Sequence, residues 1–165
     1  MSDATATQVL VIGLGNDILT DDAVGLLVAR ELRERIQDHE GIAVAETEEM
    51  GLSLLDLVVG YRDLVLVDAI QTGQQPPGFI HEVDEQTMRT VPAISPHFVG
   101  VGEALALGRT LGMAIPERVR IIAVEVEDRF TMGTRLTPAL EAALPGVVER
   151  VLSVARALAA EARAG

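Results

Sequence analysis

The chain has 165 residues, 48% of them apolar, and a formal net charge of −12. That size suits one compact domain with a substantial core, and the excess of acid argues against nucleic acid or any other polyanion as a partner, because each added carboxylate repels phosphate at long range. No cysteine occurs, which excludes disulfides, thiolate metal sites and a cysteine nucleophile together, so any chemistry falls to oxygen and nitrogen groups.

The first residues, MSDATATQ, lack the basic and apolar regions of a signal peptide, and no apolar run is long enough to span a bilayer. The expectation is a single domain over residues 1–165, monomeric and cytoplasmic, with no membrane partner. QVLVIG (8–13) reads as a buried strand, and DDAVGLLVARELRERIQ follows with Val24, Val28, Leu32 and Ile36 on one helical face. GIAVAET (41–47) reads as a second strand, and GLSLLDLVVGY as a short helix closed near Gly60. DLVLVDAI (63–70) is apolar enough to be central and parallel, with Asp68 at its end.

After the turn-rich QTGQQPPG, FIHEVD alternates like a half-exposed edge strand. SPHFVGVGEALALGRTLG predicts a helix beginning beyond Pro96, and RVRIIAVEV (118–126) a further buried strand. In the last segment Thr137 is placed to cap a helix with Pro138 at its first position, and Pro145 is expected to break or restart that helix. Beyond it Val148, Val151, Leu152, Ala155, Leu158 and Ala159 form one apolar stripe suited to covering a sheet. The alternation predicts an α/β protein, a three-layer α/β/α sandwich around a mostly parallel, mixed sheet of about five strands.

VIGLGNDILTDDAVG (11–25) begins like a nucleotide-binding loop, but Ile18 stands where a dinucleotide fingerprint needs its third glycine, and no Gly-Lys-Ser/Thr follows. Asp21 and Asp22 stand at the predicted helix start, where a phosphate would otherwise bind. The protein supplies the anion itself, so the turn is read as presenting a carboxylate; capping by Thr20 or Asp21 would explain one of these residues and leave the second acid over. Asp68, on a buried strand, reaches the carboxyl edge of the sheet, where open α/β folds build their sites. His97 lies just before a predicted helix at the same edge, where the dipole favours the neutral, metal-binding imidazole. Each of the latter two has an ordinary reading as a turn or loop residue. Together, Asp22, Asp68 and His97 make a three-ligand set with open positions for a first-row metal such as nickel, zinc, manganese or iron. HEVDE at 81–85 lacks the second histidine of a zincin, and GLSLL is not a nucleophile elbow. His39 and His81 are expected to be exposed.

GLGNDILTDDAVG, LVDAI and ISPHFVG, in that order and at that spacing, resemble the three signature regions of the nickel-iron hydrogenase maturation endopeptidases. IIAVEVEDRF and LTPALEAALP are similar to the later part of the same family, so the resemblance covers nearly the whole chain. It implies an enzyme that removes a C-terminal extension from a hydrogenase large-subunit precursor after nickel insertion, with Asp22, Asp68 and His97 as the metal-contacting residues. It further implies a mixed sheet between helices. Two departures stand out: several relatives have Glu at the position of Asp22, and a glycine-rich turn where this chain has ETEEMG (46–51). Glu46, Glu48 and Glu49 read either as a docking point for a basic peptide or as a solvated loop. Two mechanisms fit the resemblance. In one, the chain's own metal activates water or the scissile carbonyl; in the other, favoured by the resemblance, the three residues grasp nickel supplied by the precursor, for which another divalent metal can substitute, and Asp21 is a candidate general base. A non-catalytic metal- or precursor-binding chaperone would need the same three ligands.

Overall fold

The structure, a computed structural model, describes residues 7–49, 51–88 and 96–165, the side chains at 88, 96 and 97 excepted. Its elements are β1 (Val9–Leu14), α1 (Val24–Arg35), β2 (Ile42–Thr47), α2 (Ser53–Val58), β3 (Asp63–Ile70), β4 (Ile80–Asp84), α3 (Glu85–Met88), α4 (Pro96–Thr110), β5 (Arg118–Glu125) and α5 (Pro138–Ala164), with 3-10 turns at Asp21–Ala23 and Asp38–Glu40. The strands form one sheet in the order β2-β1-β3-β5-β4, parallel throughout except for β4, which runs antiparallel along one edge.

Strand alternation divides the core in two. Val9, Val11, Val65, Val67, Ile122 and Val124 pack beneath α1 and α5, whereas Leu10, Ile12, Leu64, Leu66 and Ile121 pack beneath α2 and α4. Strands covered on both faces have no polar side to show, so their sequences read as continuous apolar runs. Val65 and Leu66 are fully buried, and each such burial is worth about 2 kcal/mol. The three-layer mixed sandwich is therefore the observed fold, and the stripe from Val148 to Ala159 is buried against the sheet.

Several local expectations are corrected. Pro145 neither breaks nor restarts its helix, because α5 runs unbroken through it. The hydrogen bond that proline cannot make is the one to the Glu141 carbonyl, and both residues face solvent, so water is available to that carbonyl. Thr137 does occupy the N-cap with Pro138 behind it, but its hydroxyl makes no cap bond. Thr20 likewise caps nothing; its hydroxyl donates to the Thr131 carbonyl at 2.8 Å. Nor does β3 stop at Asp68, since the ladder continues through Ala69 and Ile70, paired with Val124 and Glu125.

The turn from β1 into α1 depends on close backbone approach. A Cβ on Gly25 would lie 2.2 Å from the Leu14 carbonyl oxygen and 2.5 Å from that of Val67, so only glycine lets α1 begin directly over β1 and β3. A Cβ on Gly15 would meet the Asp22 carbonyl oxygen at 2.1 Å. The close helix packing that a nucleotide fingerprint obtains from its third glycine is thus supplied here by Gly25, and the turn delivers Asp22 instead of a phosphate site.

Away from the site, the connection into β2 is tied to α5. Arg156 donates to both carboxylate oxygens of Glu40, at 2.6 and 3.1 Å, and the Gln37 N–H adds a third bond at 2.9 Å. The Arg156 guanidinium first, and then that backbone bond, hold the Glu40 carboxyl at about 2, down from 4.5. A depressed carboxylate stabilises the fold fully above its unfolded value and less as protons return. Arg156 is half exposed, so screening limits the contribution. We expect Glu40→Gln to cost about 1 kcal/mol at pH 7. In urea titrations the gap between variant and wild type should shrink as pH falls from 4.5 through 2; a gap independent of pH would refute the linkage.

Candidate active site

The chain leaves β1 to reach β2 on one side and then returns to the other side for β3. Such a switch of direction opens a crevice at the carboxyl ends of the two strands. Asp22 follows β1 into that crevice, on the Asp21–Ala23 turn, and is 5% exposed. Asp68 sits on β3 and is fully buried, on the same face as Leu64, Leu66 and Ile70. Its Oδ1 accepts a hydrogen bond from the Ala69 N–H at 2.8 Å.

His97 occupies the first turn of α4, and its side chain lies outside the described residues. The backbone still fixes the position of that turn. α4 precedes the parallel strand β5 and so runs antiparallel to it, which puts the helix start at the carboxyl edge, and Phe98, Val101 and Leu105 pack on the sheet face that carries Asp68. Among the described residues no group of three or more histidines and acids is arranged to hold a metal, the His97 side chain not being one of them.

Asp22 lines a cavity of about 280 Å³ together with Leu14, Asn16, Thr47, Glu48 and Arg129. Its Oδ1 lies 3.1 Å from Nη2 of Arg129, with only 8% and 14% of the two side chains exposed. A full cation thus already rests against Asp22, so the position favours positive charge. Oxygen donors of this kind, joined by an imidazole, suit nickel(II) or zinc(II) as well as they suit a guanidinium. Arg129 also lies over the Phe130 ring, its guanidinium carbon 5.7 Å from the centroid.

Asp21 has a different environment. It is fully buried. Oδ2 accepts from the N–H groups of Glu127 and Asp128 at 3.1 and 2.9 Å, and Oδ1 from the Thr137 N–H at 2.8 Å, while the Thr137 hydroxyl lies 3.1 and 2.9 Å from Oδ1 and Oδ2. Both oxygens are therefore engaged in holding the segment between β5 and α5 against the Asp22 turn. Within that segment the Thr131 hydroxyl, the Thr131 N–H and the Phe130 N–H hold the Asp128 carboxyl below its usual value and shape the turn that presents Arg129.

Glu46 belongs to β2, and its carboxylate is paired within the chain. It accepts from Arg30 at 2.8 Å and from Arg33 at 3.3 Å, while Arg30 also grips both oxygens of Asp17. The Arg30 guanidinium keeps both acids below their ordinary values and ties the glycine turn to β2. His81 is not exposed as expected: a quarter of its side chain reaches solvent, and Nε2 lies 3.1 Å from Oε2 of the buried Glu125. Glu125 Oε1 accepts from the Thr72 N–H and hydroxyl and from the Gly73 N–H, at 2.9, 2.8 and 2.9 Å, and so anchors the loop after β3. Glu125 and Arg129 are the site-edge residues that sequence reasoning missed. The acid ending an apolar strand at Glu125 has the same pattern that marked Asp68, whereas no local pattern points to Arg129.

Fold and crevice together define a small α/β protein with two buried carboxylates at the carboxyl edge of its sheet. The family model described as HycI, hydrogenase maturation protease, matches residues 26–154, a span that includes Asp68 and His97 and begins just past Asp22. The chain belongs to this hydrogenase maturation protease family, whose members are endopeptidases and hence hydrolases. Hydrogenase 2 maturation protease of Escherichia coli strain K12 is 28% identical, the match covering 94% of each chain. The hydrogenase expression/formation protein HupD of Thiocapsa roseopersicina is 31% identical over 87% of this chain and 71% of its own. Among solved structures, the hydrogenase maturating endopeptidase HybD from E. coli superposes with a TM-score of 0.76 at 27% identity, covering 90% of this chain and 92% of its own. The [NiFe] hydrogenase maturation protease HybD from Thermococcus kodakarensis gives 0.68 at 26%, covering 90% and 99%. No helix among the described residues is long and apolar enough to cross a membrane.

Proposed function

We propose that this protein cleaves the C-terminal extension from the large-subunit precursor of a nickel-iron hydrogenase, in the cytoplasm and after nickel has entered the precursor, and that it recognises that nickel through Asp22, Asp68 and His97. The observation that carries the reading is the pair of buried carboxylates on either side of the β1/β3 switch point, with the start of α4 at the same edge. Two carboxylates and one imidazole leave coordination positions open. A nickel ion brought in by the precursor would keep its own ligands and fill the rest here. The nickel is thus part of the substrate, and it supplies a fixed positive charge near the peptide to be cut. Asp22 and Asp68 orient it, and the adjoining 280 Å³ cavity accommodates the flanking peptide. Asp21, with both oxygens engaged, is a positioning residue under this reading.

Incubating the protein with nickel-loaded and nickel-free precursor and weighing the products tests this directly. Shortened product should form from the loaded precursor alone. His97→Ala should fold and fail to cleave, because a residue at a helix start contributes little to packing. Equal cleavage of both precursors would remove nickel recognition, and a tight complex with the loaded precursor left intact would favour a chaperone over a protease.

A further inference from the structure

The Asp22–Arg129 pair has a consequence for the site proposed above, and the inference rests on that reading. A cation held against a metal-binding carboxylate competes with any metal for it. The guanidinium and the carboxylate are both nearly buried, they line the same cavity, and they touch at 3.1 Å. At Oδ1 the contact is an ion pair at 3.1 Å, longer than the two-pronged grip of Arg30 on Asp17 at 2.9 and 2.7 Å. An ion pair of that kind is held by charge and is the easier to exchange for another cation.

Arg129 also rides on a segment built to hold it in place and yet meet a partner. Asp21 clamps one end through Glu127 and Asp128. The other end is stitched to the glycine turn, where Leu19 bridges Met132 and the Thr20 N–H donates to the Thr131 carbonyl at 2.9 Å. Between these anchors Phe130 and Met132 stand 75% and 76% exposed, while Arg129 between the clamp and Phe130 turns inward. Glu48, across the same cavity, offers an alternative carboxylate to a guanidinium that leaves Asp22.

We infer that Arg129 is a gate on the metal position: in the resting protein its guanidinium occupies the cation place at Asp22, so that free divalent metal is refused, and it yields only to a metal delivered with enough additional contact to displace it. Arg129 is accordingly a specificity-determining residue. It makes the enzyme respond to nickel carried by a bound protein and not to nickel in solution.

The test is calorimetric titration of nickel chloride into the metal-free protein, with no precursor present. Arg129→Gln and Arg129→Met, the latter keeping a long apolar stem beside Phe130, should each bind nickel at least about tenfold more tightly than the wild type, a typical size for releasing one competing charge. Arg129→Lys keeps the charge and should remain near the wild type. In the double variant Asp22→Asn, Arg129→Gln the gain should vanish. Wild-type affinity in Arg129→Gln and Arg129→Met, including no detectable binding in any of the three, overturns the gate. So does failure of both variants to fold, since it marks the pair as structural. A gain that persists in the double variant removes Asp22 from the ligand set, and thus sinks the functional reading and not the gate alone.

Discussion

Asp22→Asn is expected to give a folded protein that cleaves nickel-loaded precursor at least about a hundredfold more slowly, the upper end of what disturbing a metal ligand's support costs. The substitution keeps the shape of the side chain and removes its charge. A capping role would predict almost no effect, because Asn and Asp cap equally well, and Thr20, the N-cap residue, makes no cap bond here. The structural cost should be modest. Arg129 loses its counter-charge, but it lines an open cavity with Glu48 and is not sealed in the core. The pair is nearly buried, but the amide oxygen can still accept from the guanidinium, so the cost should be about 1 to 2 kcal/mol, short of the roughly 3 to 5 kcal/mol for breaking a sealed pair, or about 2 to 8 °C of melting temperature in a chain of this size. Asp22→Glu should recover a measurable part of the activity, since it restores both the acid and the pairing charge. Wild-type cleavage by the folded Asn variant would take Asp22 out of the site, and a melting point lower by 10 °C or more would reassign it as structural.

The sequence carried more about layers than about neighbours. Runs such as LVLV in β3 and the spacing of Val24, Val28 and Leu32 in α1 express burial through local periodicity, so strand, helix and sandwich could be read from them. Termination was less legible. Asp68 ends the apolar run but not the strand, because pairing with β5 extends the ladder to Ile70 irrespective of side-chain polarity. Pro145 is punctuation only where its missing bond and its ring cannot be accommodated, and the exposed side of a long amphipathic helix accommodates both.

The site divides in the same way. Asp22 and Asp68 were findable because each follows or ends a buried strand, and topology takes such positions to one edge. The same topology grouped them with His97, and the family resemblance then pointed to the same three residues. Arg129 could not be found, since it reaches Asp22 across more than a hundred residues of chain and no local pattern encodes that meeting. For the same reason the clamping role of Asp21 was not legible: what separates it from Asp22 is the segment beyond β5 that folds against it.

That difference makes Asp21→Asn the more destabilising of the two changes, although the milder in cleavage. Three backbone N–H groups converge on the Asp21 carboxylate, two on Oδ2 and one on Oδ1. An amide has one acceptor oxygen, and its NH₂ group opposes any N–H it faces. If the amide oxygen takes the place of Oδ2, the Thr137 N–H faces a donor; if the amide flips, the Glu127 and Asp128 N–H groups do. The Thr137 hydroxyl can turn to accept, but a backbone N–H cannot. At least one buried donor is therefore orphaned and a charge-assisted set is weakened, for a cost of about 2 to 3 kcal/mol. Asp21→Ala orphans all three donors and should cost about 4 kcal/mol or more. With roughly 2 to 4 °C lost per kcal/mol, thermal melts should rank wild type and Asp22→Asn above Asp21→Asn, and Asp21→Ala last. Activity then separates clamp from base. As a clamp, Asp21 leaves the Asn variant able to cleave nickel-loaded precursor well below its own melting temperature, at a rate within about tenfold of wild type, because Asp22, Asp68 and His97 are intact. A general base cannot be replaced by an amide, so a folded Asp21→Asn protein with a loss of a hundredfold or more would return Asp21 to the chemistry.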